Sequence, residues 1–187
     1  VKHVKKKIIY LSAEELTLLE NYRFKAPRLQ IVADMFIFCC YTGLPYKEMS
    51  NLFKNDIVLG FDSNKWIKKK REKTQNYISV PLLPKCLKII DKYSVSDEEK
   101  VFPKISNQKF NAYLKEIADI VGIDKNLTHH LARRTFATTV LLYNDVPMEI
   151  VSELLGHSKI TTTQDHYAKV VQKKVGEYME LLKNKLK

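Results

Sequence analysis

The stretch from Leu127 to Tyr167 constrains this chain most, because it gathers imidazole, guanidinium and phenol groups near the ends of adjacent helical patterns. His130 and Arg133 are three residues apart in a pattern that continues to Tyr143. Side chains at that spacing leave the same face of a helix. The pattern therefore predicts that both groups contact one ligand.

A second helical pattern begins at Pro147 and stops at Gly156, which are a favoured first-turn residue and a favoured helix stop. That stop places His157 at a carboxyl end, where the partial negative charge favours a protonated imidazole. Thr161 then has the form of a capping residue for one more short helix, with Tyr167 just past its first turn. We expect a cation-rich cleft that faces a tyrosine hydroxyl.

Residues 57–81 change from helical periodicity to short runs rich in isoleucine, valine and aromatic residues, separated by turn residues. They predict a small three-stranded antiparallel sheet in an otherwise helical chain, which makes the fold class α+β, mainly α. The middle strand is dense in cations: Lys65, Lys68, Lys69, Lys70, Arg71 and Lys73. Such a strand either carries a polyanion or is a solvated edge strand protected by lysines.

The charge balance points to the same kind of partner. The chain has 32 lysines and arginines against 21 acidic residues, a net charge of +11, which favours nucleic acid ahead of a membrane. No apolar run approaches the roughly 18 residues needed to span a bilayer. The three cysteines form no C-x-x-C pair and are expected to be reduced core thiols of a cytoplasmic protein. The histidines lack neighbouring carboxylates or cysteines at ligand spacing, so no metal site is predicted.

The sequence H-L-A-R at 130–133, L-L-G-H at 154–157 and Tyr167 occur in an order that resembles the catalytic domain of the tyrosine recombinases, the phage integrase family. T-G-L-x-x-x-E, at 42–48, resembles the first box of that family. The resemblance covers residues 12–187 as one catalytic domain. Residues 1–11 are expected to be a basic arm, either a linker or a solvated tail, and the family's amino-terminal DNA-binding domain is not expected within this chain.

The resemblance also implies a reaction and its residues. Tyr167 would be the nucleophile, Arg133 and His157 would donate to the phosphate, and Lys73 would be the general acid. His130 would accept the tyrosine proton or hold the phosphate. The implied protein is a site-specific recombinase or integrase of a phage or mobile element. It would need no cofactor, metal or small-molecule substrate, and would act as a homo-oligomer on double-stranded DNA.

Two positions depart from the family pattern. Pro45 stands where the family places its first catalytic arginine, and proline offers neither charge nor a backbone donor. Arg71 is two residues from Lys73, so both side chains share one face of the strand, and Arg71 is our hypothesis for the missing guanidinium. Lys47, Lys69 and Arg134 are the alternatives.

The second departure is the spacing of the nucleophile. Tyr167 lies ten residues after His157, whereas the family spacing is nine, a position that His166 fills. The alternative to an enzyme is therefore a degenerate, non-cutting DNA-binding domain. In either case the residues expected to bind DNA are Lys68, Lys69, Lys70, Arg71 and Arg134. The apolar pattern of residues 170–187 predicts a terminal amphipathic helix, which packs on its own core or on a neighbouring subunit.

Overall fold

A computed structural model describes residues 8–71, 76–94 and 99–186 of the chain. Within these residues the domain is mainly helical with one small antiparallel sheet, which confirms the predicted α+β fold class. Two predictions lie outside the described residues. They are the basic arm up to residue 7 and the general acid Lys73.

The core is built around α2, Pro27–Thr42, whose residues from Val32 to Cys40 are all buried. A helix that is apolar nearly all round must be covered on every side. The covering helices are α1 (Ala13–Asn21), α4 (Pro84–Tyr93), α5 (Asn107–Val121) and α6 (His129–Thr135). The three cysteines are free thiols and are buried in this core, as predicted.

Gly43 ends α2 in the left-handed conformation, with φ of 67°. A Cβ atom at this position would lie 2.4 Å from the ring of Phe136, so the backbone can approach that ring only because residue 43 is glycine. The short helix α3, Tyr46–Ser50, follows, and Pro45 is its extended N-cap.

The sheet has the strand order β1 (Ile57–Leu59), β2 (Lys65–Lys70), β3 (Tyr77–Pro81), and both pairings are antiparallel. Ile67 opposes Val80 and Lys69 opposes Ile78, so these four side chains share the inward face. Alternation along the strand puts Lys68 and Lys70 on the opposite, exposed face.

The carboxyl-terminal third contains α6 (His129–Thr135), α7 (Met148–Leu155) and α8 (Ile160–Lys185). The predicted continuous helix from His130 to Tyr143 is wrong in detail, because the backbone becomes π-helical over Phe136–Leu141 and 3-10 helical over Leu142–Asn144. The predicted short helix after Thr161 and the separate terminal helix are also wrong. One helix of 26 residues replaces both.

This third of the chain has its own apolar cluster, made of Phe136, Ala137, Leu141, Leu142, Val151, Leu155, Tyr167 and Val170. The amino-terminal segment packs against it as well. Leu11 N–H donates to Thr135 Oγ1 at 2.9 Å, and Thr139 Oγ1 donates to the carbonyl of Leu11. Residues 8–11 are therefore part of the folded body rather than a free arm. None of the described helices is long and apolar enough to cross a membrane.

Candidate active site

Arg133 joins three separate segments of the chain. It projects from α6, donates through Nη1 to the carbonyl of Gly43 at 2.7 Å, and donates through Nη2 to the carbonyl of Leu155. Burial and the neighbouring charge of Arg71 lower the pKa of Arg133 to about 10. The guanidinium is therefore still charged at neutral pH, and buried Glu48 favours that charge.

Arg71 binds the same acceptor as Arg133. Its Nη2 donates to the carbonyl of Leu155 at 2.8 Å from the end of β2. Gly156 makes room for it, because a Cβ atom there would lie 3.1 Å from Arg71 Nη2. Two guanidinium groups thus converge on one carbonyl oxygen. Their positive charges repel each other, and an anion bound between them would remove that repulsion.

The alternatives to Arg71 lie elsewhere. Lys69, on the inward face of the sheet, donates to the carbonyl of Asn51 at 2.7 Å and lies 3.5 Å from a carboxylate oxygen of Asp56. Its ammonium is engaged within the fold, so this placement argues against the predicted DNA contact. Lys47 is exposed on α3, whereas Arg134 lines a groove along α8 and its charge favours the ionised form of Tyr167.

His157 follows the end of α7 but is not protonated at neutral pH, so that prediction was wrong. Burial is the largest cause, followed by the charge of Arg133, and together they lower the pKa of His157 to about 4. These two effects on the pKa of His157 are larger than the opposite effect of the carboxyl end of α7. His157 Nδ1 lies 2.7 Å from Thr163 Oγ1, and the donor between them depends on the tautomer. If the Thr163 hydroxyl donates, the imidazole keeps its proton on Nε2 and is a neutral donor.

Tyr167 lies in the second apolar cluster and is only 4% exposed. Burial raises the pKa of its phenol, and the charges of Arg133 and Arg134 oppose that rise. The additional residue in the spacing is accommodated by the register of α8. His166, the position that the family spacing selects, is exposed with Nδ1 2.7 Å from the carbonyl of Thr162, while Tyr167 packs inward.

His130 is exposed on α6, and its ring lies 4.2 Å from that of His129, measured between centroids. The described contacts bring Arg71, Arg133, His157 and Tyr167 together, while they place His130 beside His129. Among the described residues, no group of three or more His, Cys, Asp or Glu side chains could hold a metal ion.

Three features of the site could not be predicted from the sequence. Thr163 as the partner of His157 had no signal, because the neighbouring Thr161 looked like the capping residue. Gly156 makes space for Arg71, but its position at the end of a helical pattern already explained a glycine there. The carbonyl of Leu155 as a shared acceptor is a backbone feature that no residue type encodes.

The fold and site define a helical domain with a paired-arginine pocket beside a buried tyrosine. The chain belongs to the phage integrase family, whose model matches residues 10–174.

Individual relatives agree with this assignment. A tyrosine recombinase of Pseudothermotoga lettingae is 28% identical over 186 residues, which is 92% of this chain and 60% of that protein. This chain thus spans less than two thirds of that relative. The crystal structure of XerA recombinase superimposes with a TM-score of 0.73 at 22% identity, covering 93% of this chain and 66% of that one. The Tn1549 transposon integrase in complex with a circular intermediate DNA gives a TM-score of 0.69 at 15% identity, covering 95% of this chain and 68% of that one. These two likenesses show the fold.

Proposed function

We propose that the chain cleaves and rejoins DNA strands through a covalent 3'-phosphotyrosine intermediate, as the catalytic domain of a site-specific recombinase or integrase. The observation that carries this proposal is the convergence of Arg71 and Arg133 on the Leu155 carbonyl, with Tyr167 close enough for its pKa to respond to Arg133. Two adjacent guanidinium groups suit a phosphodiester, which offers two charged or partly charged oxygens.

The reaction is an in-line displacement at phosphorus. The Tyr167 oxygen bonds to phosphorus, the bond to the 5' deoxyribose oxygen breaks, and that oxygen leaves as a hydroxyl after taking a proton. The phosphotyrosine linkage keeps the energy of the phosphodiester bond that was broken. Reverse attack by a DNA hydroxyl can therefore reseal the strand without a nucleotide cofactor or metal. Negative charge on the phosphate oxygens increases in the transition state, where fixed donors stabilise it most.

Each side chain has a role that follows from its chemistry. Arg133 and Arg71 bind the phosphate oxygens as planar forks, and neutral His157 donates from Nε2. Arg71 thereby supplies the guanidinium that Pro45 cannot. The family resemblance assigns proton donation to the leaving oxygen to Lys73. It assigns phosphate contact or proton acceptance to His130, which is exposed and therefore accessible to bound DNA.

The proposed partner is double-stranded DNA of a phage or mobile element in the bacterial cytoplasm. The net charge of +11 and the exposed lysines Lys68 and Lys70 on one face of β2 support it. The structure of the Tn1549 transposon integrase, which is in complex with a circular intermediate DNA, is consistent with this partner.

We also propose that several copies assemble on DNA. Beyond Val170, α8 exposes apolar side chains that its own body leaves uncovered, among them Val175, Met179, Leu181 and Leu182. An apolar stripe of this kind is suited to pack against another subunit. Replacing Leu181 and Leu182 together by glutamate is expected to remove the higher complexes in a DNA mobility-shift titration while leaving the one-copy complex.

A suicide substrate, which is DNA nicked near the cleavage site so that the cut end diffuses away, tests the proposed reaction. A covalent protein–DNA adduct should form with the wild-type chain and disappear with Tyr167→Phe. Tyr113→Phe on α5 is the matched control and should form the adduct normally. If no adduct forms on any tested DNA while binding is retained, the chain is a degenerate DNA-binding domain instead.

Arg71→Ala tests the source of the missing guanidinium. Adduct formation should fall at least about 100-fold, the usual loss when one preorganised donor to a reacting oxyanion is removed. Lys70→Ala removes a neighbouring cation from the exposed face of the same strand and should weaken binding without this loss. Undiminished cleavage by Arg71→Ala would eliminate Arg71 and leave Arg134 or Lys47 to be tested.

A further inference from the structure

The carboxylate of Asp145 joins the turn that follows the 3-10 segment Leu142–Asn144 to the middle of α8. Asp145 follows the 3-10 turn in the left-handed conformation, with φ of 64°. It accepts a hydrogen bond from Lys174 Nζ at 2.5 Å and another from the hydroxyl of Tyr178. We call these three side chains the Asp145 clasp.

Further hydrogen bonds hold the turn that carries Asp145. Lys174 Nζ also donates to the carbonyl of Leu142. Asn144 Nδ2 donates to the carbonyls of Thr139, at 3.2 Å, and Val140, at 3.0 Å, where the π-helical backbone leaves the regular hydrogen-bond ladder. The clasp therefore binds α8 to a turn that is itself held by hydrogen bonds. That turn is continuous with the helix that carries Arg133.

The helix side of the clasp lies on the same stripe as the nucleophile. Tyr167, Val170, Lys174 and Tyr178 are spaced by three, four and four residues, so they follow one face of α8. Lys174 lies two turns beyond Tyr167, roughly 10 Å along the axis. Tyr167 and Val170 are buried on the body, whereas further along the helix Leu182 and Leu186 are exposed. The clasp is thus placed where α8 leaves its own domain.

We propose that Asp145 is a positioning residue for the nucleophile. The clasp fixes the rotation and axial position of α8, so that the phenol of Tyr167 lies against Arg133. This inference rests on the proposed function, because it concerns the same strand-cleavage step. Without the clasp, α8 is held near Tyr167 mainly by apolar packing and, in its first turn, by the hydrogen bond between Thr163 and His157. Apolar packing resists sliding and rotation of the rest of the helix less than directional hydrogen bonds do.

An ordinary surface ion pair would have no such effect on catalysis. The side chain of Asp145 is 64% exposed, and exposed pairs contribute little to stability. The side chain of Lys174, however, is only 16% exposed and holds a backbone carbonyl as well as the carboxylate. We therefore expect a small effect on folding together with a clear effect on cleavage, because the reaction rate depends steeply on the placement of the attacking atom.

Asp145→Asn is the test variant, since asparagine tolerates the left-handed conformation, and its neutral amide oxygen is a weaker acceptor than the carboxylate, so both hydrogen bonds of the clasp lose their charge assistance. Glu180→Gln is the matched control, because it breaks the 2.6 Å pair with Lys183 on the exposed end of the same helix. With a suicide substrate, Asp145→Asn should form the adduct about tenfold more slowly with DNA affinity within about twofold of wild type. Glu180→Gln should match wild type in both measurements. An unchanged rate in Asp145→Asn would refute the inference.

A second arm separates placement of the nucleophile from damage to the anion pocket. In Tyr167→Phe, hydrogen peroxide supplied in solution is expected to replace the phenol as nucleophile: one of its oxygens bonds to phosphorus, its proton passes to solvent, and the bond to the 5' deoxyribose oxygen breaks as in the tyrosine reaction. Adding Asp145→Asn to Tyr167→Phe should leave this peroxide-dependent cleavage unchanged, because the arginines remain in place. An equal slowing of the peroxide reaction would show that the clasp supports the whole pocket, which would overturn the proposed role.

A third measurement does not depend on cleavage. Hydrogen exchange of the α8 amides between residues 163 and 178 should accelerate in Asp145→Asn and not in Glu180→Gln. If wild type forms no adduct, the proposed function fails while this measurement still decides whether the clasp holds α8. Unchanged protection in Asp145→Asn would reject the clasp whatever the chain catalyses.

Discussion

Gly156→Ala should reduce strand cleavage by displacing Arg71, and the chain contains its own control for this experiment. Gly156 and Gly122 both have positive φ, 64° and 80°. A non-glycine residue in the left-handed region costs about 1–2 kcal/mol, so Gly156→Ala and Gly122→Ala should lower stability by similar amounts. In a chain of this length each kcal/mol lowers Tm by about 2–4 °C.

The surroundings of the two glycines differ. A Cβ atom at residue 122 meets no atom within 4 Å, whereas one at residue 156 lies 3.1 Å from Arg71 Nη2 and 3.2 Å from its Cζ. Arg71 must then shift by a few tenths of an ångström from its position beside the carbonyl of Leu155. A hydrogen bond to a charged group contributes about 1.5–3 kcal/mol, so complete loss of one from the transition state would slow the reaction about 10- to 100-fold, and a shift of this size weakens the bond only in part.

Single-turnover adduct formation is the assay, with thermal unfolding measured in parallel. Gly122→Ala should cleave at the wild-type rate at a temperature where both variants are folded, while Gly156→Ala should be slower by about 3- to 10-fold. In the Arg71→Ala background, Gly156→Ala should cause little further loss. Wild-type cleavage by Gly156→Ala, or an equal loss in both backgrounds, would refute the assignment of this space to Arg71.

Three further predictions follow from particular contacts. Gly43→Ala combines positive φ with a Cβ atom 2.4 Å from an aromatic ring, so urea unfolding should show a loss of about 2–5 kcal/mol, clearly larger than for Gly122→Ala. Lys68→Ala and Lys70→Ala should each lower the slope of log K against log salt by about 0.9 in DNA binding, while Lys69→Ala should lower stability and leave the slope unchanged. The pKa of His157 is about 4 in the folded chain against an ordinary 6.5, so the unfolded chain binds the additional proton between these values. The free energy of unfolding should therefore fall as pH decreases from 6.5 to 4, and His157→Gln should lose part of that dependence; an equal dependence in both would contradict the low pKa.

Much of the fold could be predicted because its signals are local. Ser12 and Glu15, only three residues apart, form a capping box at the start of α1, and α2 is central because it is apolar nearly all round. The three short runs between residues 57 and 81 pair as an antiparallel sheet for the reason that alternation and turn residues suggested. Periodicity, capping and turn chemistry act over a few residues, so one sequence is enough to read them.

Of the two boundaries that failed, one depends on contacts from distant residues and the other does not. The helix after Arg133 changes to π-helical geometry where Leu11, more than 120 positions away in the chain, bonds to Thr135 and Thr139. The helix with Tyr167 runs on to Lys185 because nothing in its local sequence stops it, and a middle glycine at 176 is tolerated within a helix. Only the change to π-helical geometry could not be obtained from the local pattern.

The sequence by itself determined the residue types of the site and the family to which they belong, because order and spacing along the chain carry that information. It also indicated Arg71 as the source of the missing guanidinium, because residues two apart in a strand share one face. Only the tertiary structure decided that Arg71 and Arg133 share the carbonyl of Leu155, that Lys69 turns inward, and that His157 is neutral. Each of these outcomes depends on distance and burial between segments far apart in the chain, and electrostatic energies are set by those two quantities.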